Sequence, residues 1–218
     1  MRKIDWNWHQ MLYAAILLMK GHLNSVAIID DDSDMNRLSA NTEKCTTSVE
    51  QSISECLQPV LNYAGKFQNT MGLPLQGTDI FRELCDVYSH FKICTNGIKC
   101  SSISIEAIDA SYGYMCGAGY ESFENYATCF AEVETEISYM ECKNDASAAI
   151  ALAQKTKIPN DYNQYFEILC TIMDHYLRCC HPVINKHCGQ GAWELVRTVT
   201  LDSLRVTMPK CDLHNALL

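Results

Sequence analysis

The chain has 218 residues, of which 13 are cysteine, 20% are charged and 48% are hydrophobic, and its formal net charge is −9. This length and composition are those of a globular protein of one or at most two domains, and the few prolines and glycines exclude collagen-like and proline-rich disordered chains. The acidic excess argues against nucleic-acid binding, which needs Lys and Arg to neutralise phosphates, and against a general attraction to anionic membranes.

The amino terminus has the parts of a secretory signal peptide. Arg2 and Lys3 give a basic start, and residues 11–19 form an uncharged apolar run too short to span a bilayer. Residues 25–27 (Ser-Val-Ala) then place small residues at the two positions that a signal peptidase reads. We predict a signal peptide over residues 1–27 and a secreted, extracellular mature protein without a membrane anchor. A cytosolic amphipathic start is the alternative.

Residues 28–44 are acidic and polar and are predicted as a leader that precedes the folded domain. From Cys45 onward the hydrophobic residues recur at the three- and four-residue spacing of helices. A second helix is predicted to begin near Asp79. The stretch from Ser101 to Ala110 starts with strand-like alternation and then returns to helical spacing, so we predict a helix there.

The second half of the chain also has a helical pattern. A long apolar stripe from Tyr120 to Met140 predicts one helix, and the Ala-rich residues 144–156 predict a short one. The next helix should be stopped by Pro182, because proline removes a backbone donor, and a last helix should end before Pro209. The sequence shows no repeat of convincing period.

These patterns predict an all-α, disulfide-stapled helical domain of about six to seven helices. The domain spans residues 45–211, and residues 212–218 form a tail. In an oxidising compartment its cysteines are disulfide candidates before they are metal ligands, and an odd number leaves one thiol free or paired with another chain. The candidates are Cys45, Cys56, Cys85, Cys94, Cys100, Cys116, Cys129, Cys142, Cys170, Cys179, Cys180, Cys188 and Cys211.

Cys179 and Cys180 are adjacent, so on a helix their side chains point about 100° apart. We expect them to bridge to two different neighbours. The remaining connectivity stays open, because many pairings are compatible with the sequence.

Two kinds of site are alternatives to a purely structural role. Cys179, Cys180, His181, His187 and Cys188 are zinc-type ligands, but the paired C-x2-C spacing of zinc sites is missing. No cofactor and no metal are therefore expected. The remaining histidines after the predicted signal peptide are interpreted in the same way, as surface or core residues without a catalytic role: His90, His175 and His214.

The segment from Tyr112 to Gly119 resembles the calcium loop of secreted phospholipases A2. That family implies a histidine that activates water on a helix soon after the loop, preceded by two cysteines and followed by aspartate. Here the next histidine is His175, which follows Asp174, and His181 directly abuts Cys180. A phospholipase A2-like hydrolase is therefore the weakest alternative.

The cysteine spacing with its aromatic neighbours resembles nematode secreted cysteine-rich helical domains, and in particular the chondroitin proteoglycan 4 domain family. The resemblance rests on Cys56-Leu-x-Pro-Val60, Phe81-x-Glu-Leu-Cys85, Cys94 to Cys100, the Tyr112–Gly119 turn, Cys129-Phe130 and Tyr176-Leu-x-Cys-Cys180. It implies an extracellular role, with some members carrying chondroitin on Ser-Gly sites, and it brings no catalytic residues. A second nematode group of secreted cysteine-rich domains is a close competitor.

No Ser-Gly dipeptide occurs in this sequence. We therefore expect a secreted, non-enzymatic structural or binding protein of the extracellular matrix that shares the domain without carrying chondroitin. Its partner would be an extracellular protein or matrix component, and the odd cysteine could link two chains into a dimer. A secreted lipid or small-ligand carrier is the alternative, because a stapled helical shell can enclose an apolar cavity.

Overall fold

The computed structural model describes residues 43–66, 78–156 and 162–218. Within these ranges the chain is helical and the helices are joined by disulfide bridges, which confirms the predicted fold class. The predicted signal peptide and nearly all of the predicted leader lie outside the described residues. The helices are α1 (Thr47–Lys66), α2 (Thr78–Thr95), α3 (Ile103–Tyr112), α4 (Tyr120–Val133), α5 (Ile137–Thr156), α6 (Tyr162–Cys188) and α7 (Gln190–Thr207), followed by a 3-10 helix (His214–Ala216).

Three bridges staple the first part of the chain, residues 45–116, which we call unit one. Numbering its six cysteines in order, the first pairs with the fifth, the second with the fourth and the third with the sixth. The bridges are Cys45–Cys100, Cys56–Cys94 and Cys85–Cys116. They join α1 to α2 and fasten the segments on both sides of α3 to the rest of the unit.

The same connectivity occurs again in residues 129–211, which we call unit two. The bridges are Cys129–Cys188, Cys142–Cys179 and Cys170–Cys211. The second-to-fourth bridges of the two units close nearly equal lengths of chain, 38 and 37 residues. Each of the six bridges restricts the unfolded chain enough to stabilise the fold by about 4 kcal/mol in the chain-entropy model.

The helices of the two units correspond as well as the bridges do. The pair α1 and α2 in unit one matches the pair α5 and α6 in unit two, and both pairs pack closely. The helix after the fifth cysteine is α3 in one unit and α7 in the other. The chain therefore contains an internal repeat of a three-helix, three-bridge unit, and the expectation that there is no repeat was wrong.

The two units meet through their equivalent helices, α3 and α7, where Ser111 Oγ lies 3.4 Å from Ser203 Oγ. When two copies of a unit are related by a two-fold axis, the same element of each copy meets at the interface, as α3 and α7 do here. Helix α4 adds an aromatic row to this junction: Phe123 stacks on Phe81 of α2, with ring centroids 6.1 Å apart, and on Phe130 within α4. None of the six bridges joins one unit to the other.

Pro182 does not end its helix, contrary to the sequence prediction, because α6 continues to Cys188. An interior proline costs a helix about 3 kcal/mol, since it removes one backbone hydrogen bond and crowds the preceding turn. The contacts beyond Pro182 offset this cost. Ile184 is buried in the core, and Cys188 is fixed to α4 by its bridge to Cys129.

The stripe from Tyr120 to Met140 is also not one helix. α4 ends at Val133, a turn follows, and α5 begins at Ile137 and includes the whole Ala-rich stretch that was predicted as a separate helix. The apolar spacing continues through the turn, so the sequence pattern hides it. Ile137, which the stripe places on the buried side, is 71% exposed.

The last residues of the chain, predicted as a tail, pack into the core. Leu213 and Leu217 are each 2% exposed, and the 3-10 helix between them contacts α6. The Cys170–Cys211 bridge holds this segment in place.

Candidate functional site

Cys180 is the one cysteine without a disulfide partner, and all thirteen lie within the described residues. Its neighbour Cys179 bridges to Cys142 and is exposed, whereas Cys180 is 1% exposed. The prediction that both would form bridges was wrong. The two side chains do diverge, but Cys180 points into the interior, where its neighbours are not cysteines. An intermolecular bridge through this thiol would need the fold to open.

A polar cluster surrounds Cys180 in the core of unit two. Lys143 Nζ lies 2.6 Å from Glu134 Oε2, and the Tyr139 and Tyr176 hydroxyls are 3.0 Å apart. The Lys143 and Glu134 side chains are 9% and 2% exposed. Burial raises the pKa of the Cys180 thiol, and it raises the pKa of both tyrosines. A thiol that stays protonated is a poor nucleophile, so the cluster does not activate Cys180.

The internal repeat shows what this cluster replaces. Four positions are defined by their distance from the second and fourth cysteines of each unit, and all four are buried in both units. Unit two has Tyr139, Lys143, Tyr176 and Cys180 there, whereas unit one has Ile53, Leu57, Phe91 and Thr95. The scaffold is therefore built equally well with an almost wholly apolar set. Cys180 lies outside the repeated cysteine pattern.

A polar cavity of about 240 Å³ lies in unit one, where α2 ends and α3 begins. Lys92 on α2 is the one cation in its wall, and Glu106 in the first turn of α3 is the one anion. Ser102, the residue that precedes α3, also lines the cavity. Its side chain makes no capping hydrogen bond, and its Oγ is buried without a partner. The full lining is Lys92, Thr95, Asn96, Ile98, Cys100, Ser101, Ser102, Ile105 and Glu106.

The cavity wall is rigidly held on one side. The Cys45–Cys100 bridge adjoins it, and the amide of Ser101 donates to the carbonyl of Glu43 at 3.0 Å. Ser101 Oγ donates to Glu106 Oε1 at 2.7 Å, and Lys92 Nζ donates to Asp109 Oδ2 at 2.6 Å. Both charged groups in the wall therefore already have a partner, and each retains further hydrogen-bonding capacity.

The zinc alternative loses two of its three thiolates to disulfides, because Cys179 and Cys188 are both bridged. Within residues 43–66, 78–156 and 162–218, no group of three or more His, Cys, Asp or Glu side chains is placed to hold a metal ion.

The turn that resembles a calcium loop uses its carbonyls for its own backbone. The Tyr114 carbonyl accepts from the amides of Gly117 and Gly119, at 3.2 and 2.8 Å, and the Tyr112 carbonyl accepts from Cys116 at 2.8 Å. Cys116 is fixed to α2 by its bridge to Cys85. The geometry is that of a tight, stapled turn after a helix.

Comparison with known proteins identifies the family of the chain. A model of the family described as chondroitin proteoglycan 4 matches residues 46–215, which cover both units except for Cys45. The chain belongs to the chondroitin proteoglycan 4 family. An uncharacterized protein of Caenorhabditis elegans is 31% identical over 183 residues, which cover 75% of this chain and 87% of the relative. No solved structure gives a significant match.

The histidines that were considered as candidate site residues in this chondroitin proteoglycan 4 family member have local partners or face solvent. His181 stacks on Trp193 with ring centroids 4.2 Å apart, and His187 Nδ1 lies 3.7 Å from Glu136 Oε1. His90 Nδ1 lies 2.8 Å from a carbonyl one turn earlier in its own helix. The other two are exposed, on α6 and at the start of the 3-10 helix: His175 and His214.

Sequence reasoning missed both the buried cluster and the polar cavity. The core position of Lys143 has a signal in the sequence, because it lies four residues after the aromatic residue Tyr139 and so shares a helix face with it. The cavity has no such signal in the sequence, because Lys92 and Ser102 line the same cavity only as a result of the turn between two helices. None of the helices in the described part of the chain has the length and apolar character needed to cross a bilayer.

Proposed function

We propose that the protein is a secreted, non-enzymatic scaffold or binding protein of an extracellular matrix or fluid. The observation that supports secretion most strongly is the duplicated unit with its six bridges, because disulfides persist in oxidising compartments and are rare in the cytosol. Membership of the chondroitin proteoglycan 4 family and the signal-peptide pattern of residues 1–27 support the same compartment.

The alternatives have less support. A lipid carrier needs an apolar cavity, whereas the cavity in unit one is lined mainly by polar residues. A phospholipase-like hydrolase needs carbonyls free for calcium, and those of Tyr112 and Tyr114 accept backbone hydrogen bonds. We propose that the protein acts in its surroundings as a rigid scaffold that offers a binding surface.

The partner is proposed to be an extracellular protein or matrix component with a basic surface. Removal of residues 1–27 takes away three basic residues and one acidic residue, so the net charge of the mature chain changes from −9 to −11. Such a protein repels a polyanion such as free chondroitin. Because the sequence has no Ser-Gly dipeptide, we propose that the chain carries no chondroitin of its own.

The test is the intact mass of the full chain expressed in a secretory host, measured with and without alkylation. We expect a protein that begins at Ile28, with six bridges, no polysaccharide and one thiol that reacts only after denaturation. Retention of residues 1–27, or several thiols that react in the folded protein, would contradict secretion and stapling. An apolar ligand that copurifies, or calcium-dependent release of fatty acid from phospholipid, would contradict the scaffold and favour the carrier or the hydrolase.

A further inference from the structure

The turn that follows α2 contains the one Asn-Gly dipeptide of the chain, Asn96-Gly97. We propose that Asn96 is a site of spontaneous covalent modification, at which the side-chain amide converts to a carboxylate in the folded protein. The observations that support it are the exposure of both residues and the few contacts that hold them. The inference does not depend on the proposed function, because it concerns the chemistry of this turn alone.

The reaction needs no partner other than water. The backbone nitrogen of Gly97 attacks Cγ of Asn96, and the new C–N bond closes a five-membered succinimide ring. The bond from Cγ to the side-chain nitrogen breaks, and ammonia leaves with the proton of the Gly97 amide. Water then adds to one of the two ring carbonyls and opens the ring. The products are aspartate and isoaspartate, in which the chain runs through the side-chain carbonyl carbon, so the reaction requires no oxidant or reductant.

Gly97 suits the attacking role for two reasons. Glycine has no Cβ to crowd the ring as it closes. Apart from its chain neighbours, no heavy atom lies within 4 Å of the place where a Cβ would stand. Its amide is also available, since Gly97 lies beyond the end of α2 and its N–H makes none of the backbone hydrogen bonds of the described turns and loops. The nucleophilic nitrogen is therefore neither crowded nor engaged with a backbone carbonyl.

The turn also lets the dipeptide reach the geometry of ring closure. One backbone hydrogen bond spans it, from the Ile98 amide to the Thr95 carbonyl at 3.0 Å. Asn96 Cγ approaches the Gly97 nitrogen when the chain rotates about the Asn96 Cα–C bond. This rotation has to break the one turn hydrogen bond, whereas the same rotation inside a helix would break several bonds of the i to i−4 ladder.

Other exposed asparagines of the chain lie in helices and provide the contrast. Asn62 is in α1 and Asn144 is in α5, and each is followed by a residue with a side chain. The amides that follow them belong to the helical hydrogen-bond ladder. The repeat offers no second copy of the turn, because the position of unit two that lies two residues after the fourth cysteine is inside α6. We therefore expect conversion at Asn96 and not at the two helical asparagines.

Conversion would change the surface of unit one. Both products place a carboxylate in a corner that already contains Glu106, which lines the same cavity as Asn96. The isoaspartate also adds one carbon to the backbone between Cys94 and Cys100. Both of these cysteines are bridged, so we expect the change to stay within the loop and the fold to persist. The corner thus becomes more acidic as the protein ages.

The test incubates the purified, oxidised full chain at physiological temperature and slightly alkaline pH, and then maps its peptides after reduction and digestion in acid. We expect the peptide that contains Asn96 to gain one mass unit and to separate into two product peaks, with isoaspartate identified by electron-transfer fragmentation. In water enriched in heavy oxygen the gain should be three mass units, because the solvent supplies one oxygen of the new carboxylate. The peptides that contain Asn62 and Asn144 should stay unchanged over the same period.

Two variants and the unfolded chain test the mechanism. Gly97→Ala should slow the conversion by about an order of magnitude, because its Cβ crowds ring closure yet meets open space in the fold. Lys99→Gln is the matched control, since this exposed residue lies in the same loop but outside the dipeptide, and its rate should equal that of the unchanged protein. The reduced, unfolded chain gives the rate of the dipeptide without the fold. Unfolding curves check that each variant is folded.

Three results would overturn the proposal. The first is an Asn96 side chain that stays intact in the folded protein while the unfolded chain converts, which would mean that the turn protects the dipeptide. The second is a Gly97→Ala variant that converts as fast as the unchanged protein. The third is a mass gain at the helical asparagines that is as fast as the gain at Asn96.

Discussion

The buried pair of Lys143 and Glu134 gives a prediction that the internal repeat makes quantitative. Leu57 of unit one occupies the position that is equivalent to Lys143 of unit two. Lys143→Leu should therefore fit the scaffold sterically, but it leaves the Glu134 carboxylate, which is 2% exposed, without its cation. Removing one partner of a buried ion pair lowers the free energy of unfolding by about 3–5 kcal/mol.

The double variant Glu134→Gln with Lys143→Leu should behave differently. Replacing a buried ion pair by neutral residues of similar size is often close to neutral, because the desolvation cost of both charges disappears. The amide that replaces the carboxylate keeps an oxygen for the Tyr139 hydroxyl, which hydrogen-bonds to Glu134. We expect the double variant to lie within about 1 kcal/mol of the unchanged protein. The double-mutant cycle then gives a coupling of several kcal/mol.

The assay is thermal unfolding of the oxidised protein at neutral pH, followed by Trp fluorescence and by circular dichroism. For a domain of this size, the loss of about 3–5 kcal/mol expected for Lys143→Leu corresponds to a fall in Tm of roughly 6–20 °C. Arg178→Met is the control, because it breaks an exposed pair with Asp174 and should leave the midpoint almost unchanged. If Lys143→Leu costs less than about 1 kcal/mol, the reasoning from an uncompensated buried charge is refuted.

Three further predictions follow from the same structure. Cys180→Thr, which copies Thr95 of unit one, should keep all six bridges and remove the only thiol that alkylates after denaturation, as counted by mass spectrometry. A protease site inserted at residues 117–119 should yield two fragments that separate on a non-reducing denaturing gel; a single band would refute the bridge pattern. Gly191→Ala should destabilise the fold by about 1–3 kcal/mol because its new methyl would meet the Tyr126 hydroxyl, and Tyr126→Phe should partly restore stability, as thermal unfolding would show.

The all-α class was predictable because helix burial leaves a trace in sequence. Ile53, Leu57 and Val60, for example, recur at the helical spacing and all are buried. The same reasoning failed where contacts distant in sequence override local rules. Pro182 lies inside a helix because the Cys129–Cys188 bridge holds the far side, and sequence spacing does not show that bridge.

The repeat was hidden for a different reason. Cys180 adds a thirteenth cysteine beside the fourth of unit two, and the spacing from the fifth to the sixth cysteine differs between the units. The spacings from the second to the third and from the third to the fourth cysteine do match, at 29 and 9 residues in unit one and 28 and 9 in unit two, but the extra Cys180 and the unequal outer spacings conceal this match. The candidate cavity could not be predicted either, because Lys92 and Ser102 are ten residues apart and their approach depends on the turn between α2 and α3.

The bridge pattern also determines how the protein would respond to tension. Within each unit the shortest path from the first to the sixth cysteine runs through two bridges and 15 residues of chain in unit one (Cys100 back to Cys85) or 18 in unit two (Cys188 back to Cys170), instead of 71 and 82 residues. The stretch from Cys116 to Cys129 contains no bridge and could lengthen to at most about 45 Å. Under load the bridges would therefore confine the extension of the molecule to three short stretches of chain, one inside each unit and one between the units.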